Sequence, residues 1–375
     1  MSRSEEKKPG NSTDGVRAVE AFWQAKLPET FGRLYAQPDP PFLAPCEFFT
    51  LDAIARGSGR SFGLLPQYLP FGRAVGEGGL YGFYATPQTG VEAWPILYWD
   101  EDEMYLRPVA SNFTAFLRHC ALVGRYETEE HWESQDPAGQ EALAWRELGK
   151  RLELPEDILF GLVPRNDTEL RERMVTYDPQ DAVSLCHLGC VQRARGDSER
   201  ALDFFHRASE AAPWFGDPSY LVADIHRERG NYARATQGWW TVTQCLLPLC
   251  TRTWDWDLGE DHPEADIYEV AADGLAQHEE DMEAALRRDP LWRVVVQEDP
   301  YDPDAREGLG DTLLARNDLA GAEREYLNAL SLCCIERGKQ PERLYNALIS
   351  LYERTGRTRD AALAHYDRKL PRPTL

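Results

Sequence analysis

The order of apolar and polar positions changes character along the chain. Val16 to Tyr35 reads as helical, with Val19, Phe22 and Trp23 on one face, and LPET (Leu27–Thr30) breaks or restarts the helix. FFTLDAIA (Phe48–Ala55) reads as a strand end running into a short helix. LPQYLPFGRAVGEGGLYGFYATP and WPILYWDEDEMYLRPVA then gather aromatic and aliphatic residues between Gly-Gly, Pro and acidic turns, which is the pattern of strands and hairpins. WPILYW and MYLRPVA are two strands in this reading, joined by the run Asp100, Glu101, Asp102 and Glu103. After them, Ser111 or Asn112 caps a helix whose apolar stripe is Phe113, Phe116, Leu117 and Cys120.

The acidic run admits three uses. Calcium loops space their ligands at alternating positions and turn on a glycine, and four consecutive carboxylates lack that spacing. A solvated turn between two strands suits the residues, and an acidic patch facing a protein partner is the functional alternative. No metal and no catalysis are expected here.

Three elements of the first 125 residues resemble the SUKH superfamily, which includes the fungal cell-wall-synthesis regulator and many bacterial immunity proteins. They are the early helix followed by LPETFGRLY (Leu27–Tyr35), the central LPFGRAVGEGGLYGFYATP (Leu69–Pro87), and the ending WPILYWDEDEMYLRPVASNFTAFLRHC. The chain departs from the family at residues 85–93, where TPQTGVEA replaces the usual acidic or asparagine-rich link. The resemblance implies an α+β fold over residues 16–125 whose members mostly bind proteins, and it carries no catalytic residue across.

Beyond residue 166 a longer period takes over. HLGCVQRARGDSERALDFFHRASEAAP places Leu188-Gly189, Gly196, Ala201, Phe205, Ala208 and Pro213 in a frame that resembles the tetratricopeptide repeat. A shift of 34 gives Val222, Ala223, Gly230, Ala235, Trp239 and Val242, and a shift of 121 gives Leu309-Gly310, Asn317, Ala322, Tyr326 and Ala329. A fourth set is Leu348, Tyr352, Gly356, Ala361 and His365, reached by a step of 39 that implies a longer second helix or a longer loop in the third unit. Small residues let paired helices approach, the aromatic fills the gap between units, and the glycine lets the chain reverse. Residues 246–300 interrupt the frame: LLPLCTRTWDWDLGEDHPEAD reads as a loop and Ile267 to Arg288 as a helix. Residues 126–165 read as a helical linker docked on the repeats, and residues 1–15 as a disordered tail.

Repeats of this type bind through the surface lined by the first helix of each unit. That lining is Val183, Cys186, Cys190 and Arg193, then Asp217, Tyr220, Asp224 and Arg227, then Asp304, Glu307, Asp311 and Leu314, then Arg343, Asn346, Ser350 and Glu353. It is mixed and acidic in the middle, without the Lys and Asn pairs that clamp a C-terminal carboxylate. Trp254 and Trp256, beside Asp255 and Asp257, are either a partner anchor or a loop pinned to the repeats by its own tryptophans.

Charge narrows the partner. Of 375 residues 41 are basic and 63 acidic, a net charge of −22, which repels nucleic acid and anionic lipid and attracts a basic protein. No run of about 18 apolar residues spans a membrane, and a cytoplasmic location is expected. The eight cysteines include no CxxC pair, and Cys333 beside Cys334 suits reduced thiols better than disulfides. Cys186-His187-x-x-Cys190 offers two thiols one helical turn apart but no second pair for zinc. No HExxH, GxSxG, Walker-type or GxGxxG motif is present, and AVGEGGLYG has no Lys-Ser/Thr after it.

These readings converge on a multidomain, non-enzymatic protein-binding protein: an α+β SUKH-like domain followed by an all-α tetratricopeptide-type solenoid, with no cofactor. An immunity-type inhibitor of a basic toxin domain is one expectation. A scaffold or regulator assembling a signalling or envelope-synthesis complex is the other.

Overall fold

The computed structural model describes residues 12–36, 45–61, 63–76, 78–86, 89–127, 148–256, 265–333 and 341–370. The expected tail at residues 1–11, residues 128–147 of the expected linker, Cys334 and Asp257 lie outside them. Ser12 to Gly15, expected in the tail, are already helical.

The first part is a five-stranded antiparallel meander in the order β1 (Cys46–Phe48), β2 (Tyr68–Ala74), β3 (Leu80–Tyr84), β4 (Ile96–Asp100) and β5 (Tyr105–Ala110). Helices α1 (Ser12–Trp23), α2 (Glu29–Leu34), α3 (Leu51–Ala55) and α4 (Phe113–Glu127) accompany it. Local chemistry sets the boundaries. Thr50 caps α3 by accepting from the Ala53 amide at 3.2 Å, and the Asn112 carbonyl oxygen accepts from the Ala115 amide at 3.0 Å at the start of α4.

One face of the sheet is a cluster of aromatic rings. Phe71 lies 5.0 Å from Phe83 and 5.4 Å from both Phe113 and Phe116 between ring centroids, with Phe31 and Phe48 around them. Each such ring contributes about 1.5–3 kcal/mol by leaving water. This core extends to Leu148, Leu152, Leu154, Ile158, Leu159, Leu170 and Met174. The described half of the expected linker, with α5 (Glu156–Phe160), therefore packs into the core of the sheet domain. Arg125 on α4 donates to the Ile158 carbonyl at 2.7 Å and the Gly161 carbonyl at 2.5 Å, fixing that docking.

The chain then continues as helices: α6 (Asp167–Tyr177), α7 (Ala182–Ala194), α8 (Ser198–Ala211), α9 (Asp217–Glu228), α10 (Tyr232–Thr243), α11 (Ile267–Gln277), α12 (Pro303–Ala315), α13 (Leu319–Leu332), α14 (Glu342–Arg354) and α15 (Thr358–Asp367). The periodic positions find their physical reasons here. Gly196, Gly230, Asn317 and Gly356 all have φ between 62° and 82°, the left-handed turn that reverses the chain between paired helices. A Cβ at Gly189 would come within 2.3 Å of the Phe205 ring, and one at Gly310 within 2.6 Å of Tyr326. The small and aromatic positions of the frame thus touch within each pair. Asp197, Asn231 and Asp318 cap the second helices by accepting from the backbone amide three residues on.

One expectation is corrected and two are made more definite. The helix expected over Ile267 to Arg288 ends at Gln277 and gives way to 3₁₀ turns at Glu279–Asp281 and Leu286–Arg288. The segment expected as a loop carries two 3₁₀ turns, Leu247–Leu249 and Thr253–Trp256, and Leu249, Cys250 and Thr251 in it are buried. Of the two explanations for the 39-residue step, the longer helix fails, because α13 and α8 both have 14 residues, and the extra chain lies between α13 and α14.

A second hydrophobic core is shared by the two parts. Tyr68, Leu80, Leu97, Trp99 and Leu106, on the second face of the sheet, join the cluster built by α7 to α15. Antiparallel sheets commonly leave one face to water, and here helices cover both.

Candidate functional site

The sites expected from the sequence fall into three places. The first is the turn between β4 and β5. Asp100 accepts from the amides of Asp102 and Glu103, both at 3.0 Å, and Met104 takes φ 60°, so the acidic run folds on itself as a tight turn. Glu101, Asp102 and Glu103 are exposed. Glu103 also pairs with Arg252 at 3.4 Å, and Arg252 with Asp266 at 2.5 Å, which ties the turn to the segment after α10. Among the described residues no group of three or more His, Cys, Asp or Glu side chains is arranged to hold a metal ion.

The second place is the lining of the first two helix pairs. Cys186, Tyr220 and Asp224 are buried, and Cys190 is half-buried against the same core. Burial pushes the Cys186 thiol well above its ordinary range. Arg193 pairs with Asp224 and Glu228, both at 2.6 Å, and Arg227 pairs with Asp224 at 2.7 Å, so this charged set joins α7 to α9.

Of the two readings of the Trp-Asp segment, Trp256 follows the pinned loop and not the partner anchor. It is 1% exposed, its ring centroid lies 5.1 Å from that of His187, and its indole N–H donates to Asp217 at 2.9 Å. Asp217 is fully buried and accepts from the Thr251 amide at 3.0 Å and from the Thr251 hydroxyl. Burial pushes the Asp217 carboxyl up to about 7, its three hydrogen bonds opposing. Burial also pushes His187 down to about 3, so that imidazole is neutral. The Trp-Asp segment therefore occupies part of the lining expected to receive a partner. The side chain of Trp254 is outside the described residues.

The third place is the lining of the last two pairs, which is open. Asp304, Asp311, Arg343, Asn346, Ser350 and Glu353 are exposed and Glu307 is half-buried. Arg343 reaches both Glu307 and Asp311 at 2.7 Å, the Tyr326 hydroxyl donates to Asp311 at 2.8 Å, and Arg368 donates to Asn346. The structure thus brings Glu307, Asp311 and Asn346 onto one accessible face, apart from the acidic turn.

A set of residues that the sequence reading did not single out joins the sheet domain to the helices. Arg60 and Asp367, 1% and 0% exposed at their side chains, form a two-pronged pair with Nε to Oδ1 at 2.8 Å. Ser111 donates to Asp178 through its amide at 2.8 Å and its hydroxyl at 2.7 Å. The Gly63 amide donates to Tyr345 at 3.2 Å, and Arg359 donates to the Ala85 carbonyl at 2.8 Å. The sheet domain is held at both the first and the last helix pair. One signal was available: LYGFY and ILYW run apolar without alternation, the pattern of a strand buried on both faces.

No curated protein matches the chain. A family model described as the SMI1 / KNR4 family (SUKH-1) matches residues 10–119, the segment that holds α1 to α3, the whole five-stranded sheet and the first half of α4. Residues 10–119 are therefore an SMI1/KNR4 (SUKH-1) domain.

Proposed function

We propose that this chain is a non-enzymatic protein-binding protein, an immunity-type inhibitor of a toxin domain, whose helix pairs are tetratricopeptide-type units. The observation that carries the reading is the SMI1/KNR4 match over residues 10–119. The net charge of −22 supports it, because an acidic inhibitor is steered toward a basic toxin and rejects anionic competitors. With both sheet faces covered by the chain itself, the partner surface on this domain is its loops and edges. The exposed Glu101, Asp102 and Glu103 are the charged part of that surface.

A scaffold or regulator is the second reading, favoured by the open face of the last two pairs around Glu307, Asp311 and Asn346. The two are separated by a pull-down with the full chain at low and high salt, read by mass spectrometry. Deleting the helices is no fair test, since it strips the second face of the sheet. The comparison uses two surface variants instead, Glu101→Gln with Asp102→Asn and Glu103→Gln, and Arg343→Glu with Asn346→Lys. One stoichiometric basic partner, released by salt and lost with the neutralised turn, supports the inhibitor. Several partners that ignore the turn and vanish with the Arg343 variant support the scaffold.

A further inference from the structure

Where the SUKH domain meets α6, three elements enclose a cavity of about 290 Å³. One wall is a row across the sheet. Tyr81 on β3 is opposite Tyr98 on β4, and Tyr98 is opposite Arg107 on β5, so the three side chains share one face. The two rings lie 5.4 Å apart between centroids. The second wall is α4, which brings His119, Val123 and Tyr126 at helical spacing, and the third is α6, with Leu170 and Arg171.

Two guanidiniums on these walls have donors to spare. Among the described residues the Arg107 guanidinium makes no hydrogen bond, and the carboxylate it faces, Asp255, stands 3.9 Å away. Arg171 donates from Nε to Asp167 at 3.2 Å and from Nη1 to the Met174 sulfur at 3.9 Å, which leaves Nη2. The side chains are 35% and 21% exposed, and none of their unpaired nitrogens is sealed from solvent. The two carboxylates on the walls are already engaged. Asp167 is held by Arg171, and Asp181 accepts from the Ser184 amide at 2.9 Å and its hydroxyl at 2.6 Å. Burial, with Arg171 and Arg107 nearby, pushes His119 down to about 3, so that imidazole is neutral. Guanidinium forks match the oxygens of a carboxylate or a phosphate. The net charge of −22 disfavours large polyanions, but distant charges are screened beyond about 8 Å at physiological salt, so the groups lining the cavity decide what enters.

We propose that this cavity is a binding site for a small aromatic anion, its carboxylate or phosphate held by Arg107 and Arg171 and its ring against Tyr81, Tyr98 and Tyr126. The site exists only where the two parts meet, since Arg107 comes from the sheet and Arg171 from α6. An occupant bridges them whatever protein the chain binds.

The test uses the full chain with benzoate, phenyl phosphate and benzamide, the last keeping the shape of benzoate without its charge. Binding is read by ligand-observed NMR. The wild type is expected to bind at least one of the two anions about tenfold or more tightly than benzamide, and the better anion tells carboxylate from phosphate. Arg107→Gln and Arg171→Gln are each expected to erase that preference, while Arg293→Gln, at an exposed position elsewhere, keeps it. Melting curves show that the variants fold, and Val123→Trp, which fills the cavity and spares both guanidiniums, is expected to abolish binding if either glutamine variant misfolds. Equal affinity for anions and benzamide, or no binding of any probe, overturns the proposal and leaves two hydrated arginines. A preference that survives both glutamine variants, or is lost equally in Arg293→Gln, places the anion elsewhere and overturns it too.

Discussion

Asp367 is the last residue of α15 and lies 307 residues from its partner Arg60, yet the two form the most enclosed link between the halves. Removing the carboxylate by Asp367→Leu leaves a guanidinium 1% exposed at its side chain, with only the Tyr68 carbonyl at 2.7 Å for company. Breaking a buried pair from one side costs about 3–5 kcal/mol. Removing both partners is different. Burial pushes the Asp367 carboxyl above its ordinary range and Arg60 pulls it back only in part, so desolvation outweighs the attraction. Arg60→Met with Asp367→Leu is therefore expected to lie within about 1 kcal/mol of wild type, or above it. Urea unfolding of the wild type, both single variants and the double variant closes the cycle, with a coupling energy of about 5 kcal/mol or more expected from the singles and the double. Amide exchange in α15 and around Arg60 is expected to speed up together in Asp367→Leu. A single variant that costs less than about 1 kcal/mol, or a double variant as unstable as the sum of the singles, would refute the reasoning.

Three further outcomes are expected. Asp217 has its folded carboxyl raised to about 7 from an ordinary 3.8, so the folded state keeps the proton longer and this group's contribution to stability falls as pH rises from about 4 to 7. Asp217→Asn removes that slope and, because an amide nitrogen then faces an N–H or O–H donor, lowers the melting temperature at pH 5; a variant with the wild-type pH slope sinks the assignment. Gly189→Ala, whose Cβ would meet Phe205 at 2.3 Å, is expected to cost about 1–3 kcal/mol, measured by urea unfolding. Gly308→Ala on the exposed side of α12, with nothing within 4 Å, is expected to gain up to about 1 kcal/mol in the same assay, and equal effects at the two sites would defeat the packing account.

The sequence by itself determined the local structure. Clustered aromatic and aliphatic residues between turn signals place β4, β5 and the cap of α4, and the recurrence of Gly196, Gly230, Asn317 and Gly356 marks four chain reversals, because a left-handed turn restricts the residue that occupies it. Family resemblance of the first domain was also legible, through motifs whose residues sit within one sheet and its covering helices. The candidate site was legible in part: Glu307, Asp311 and Asn346 do share an accessible face, while Cys186, Tyr220 and Trp256 are enclosed. A repeat frame says which side of a helix faces the groove, and it is silent on what the rest of the chain puts there. Only the tertiary structure decided that Trp256 and the second face of the sheet pack against the helices from α7 onward. Only it brought Arg60 to Asp367, and Gln67 to Glu323. Such contacts join residues hundreds of positions apart, and no local propensity or spacing encodes them. They follow from the need of two apolar faces, each incomplete alone, to leave water together.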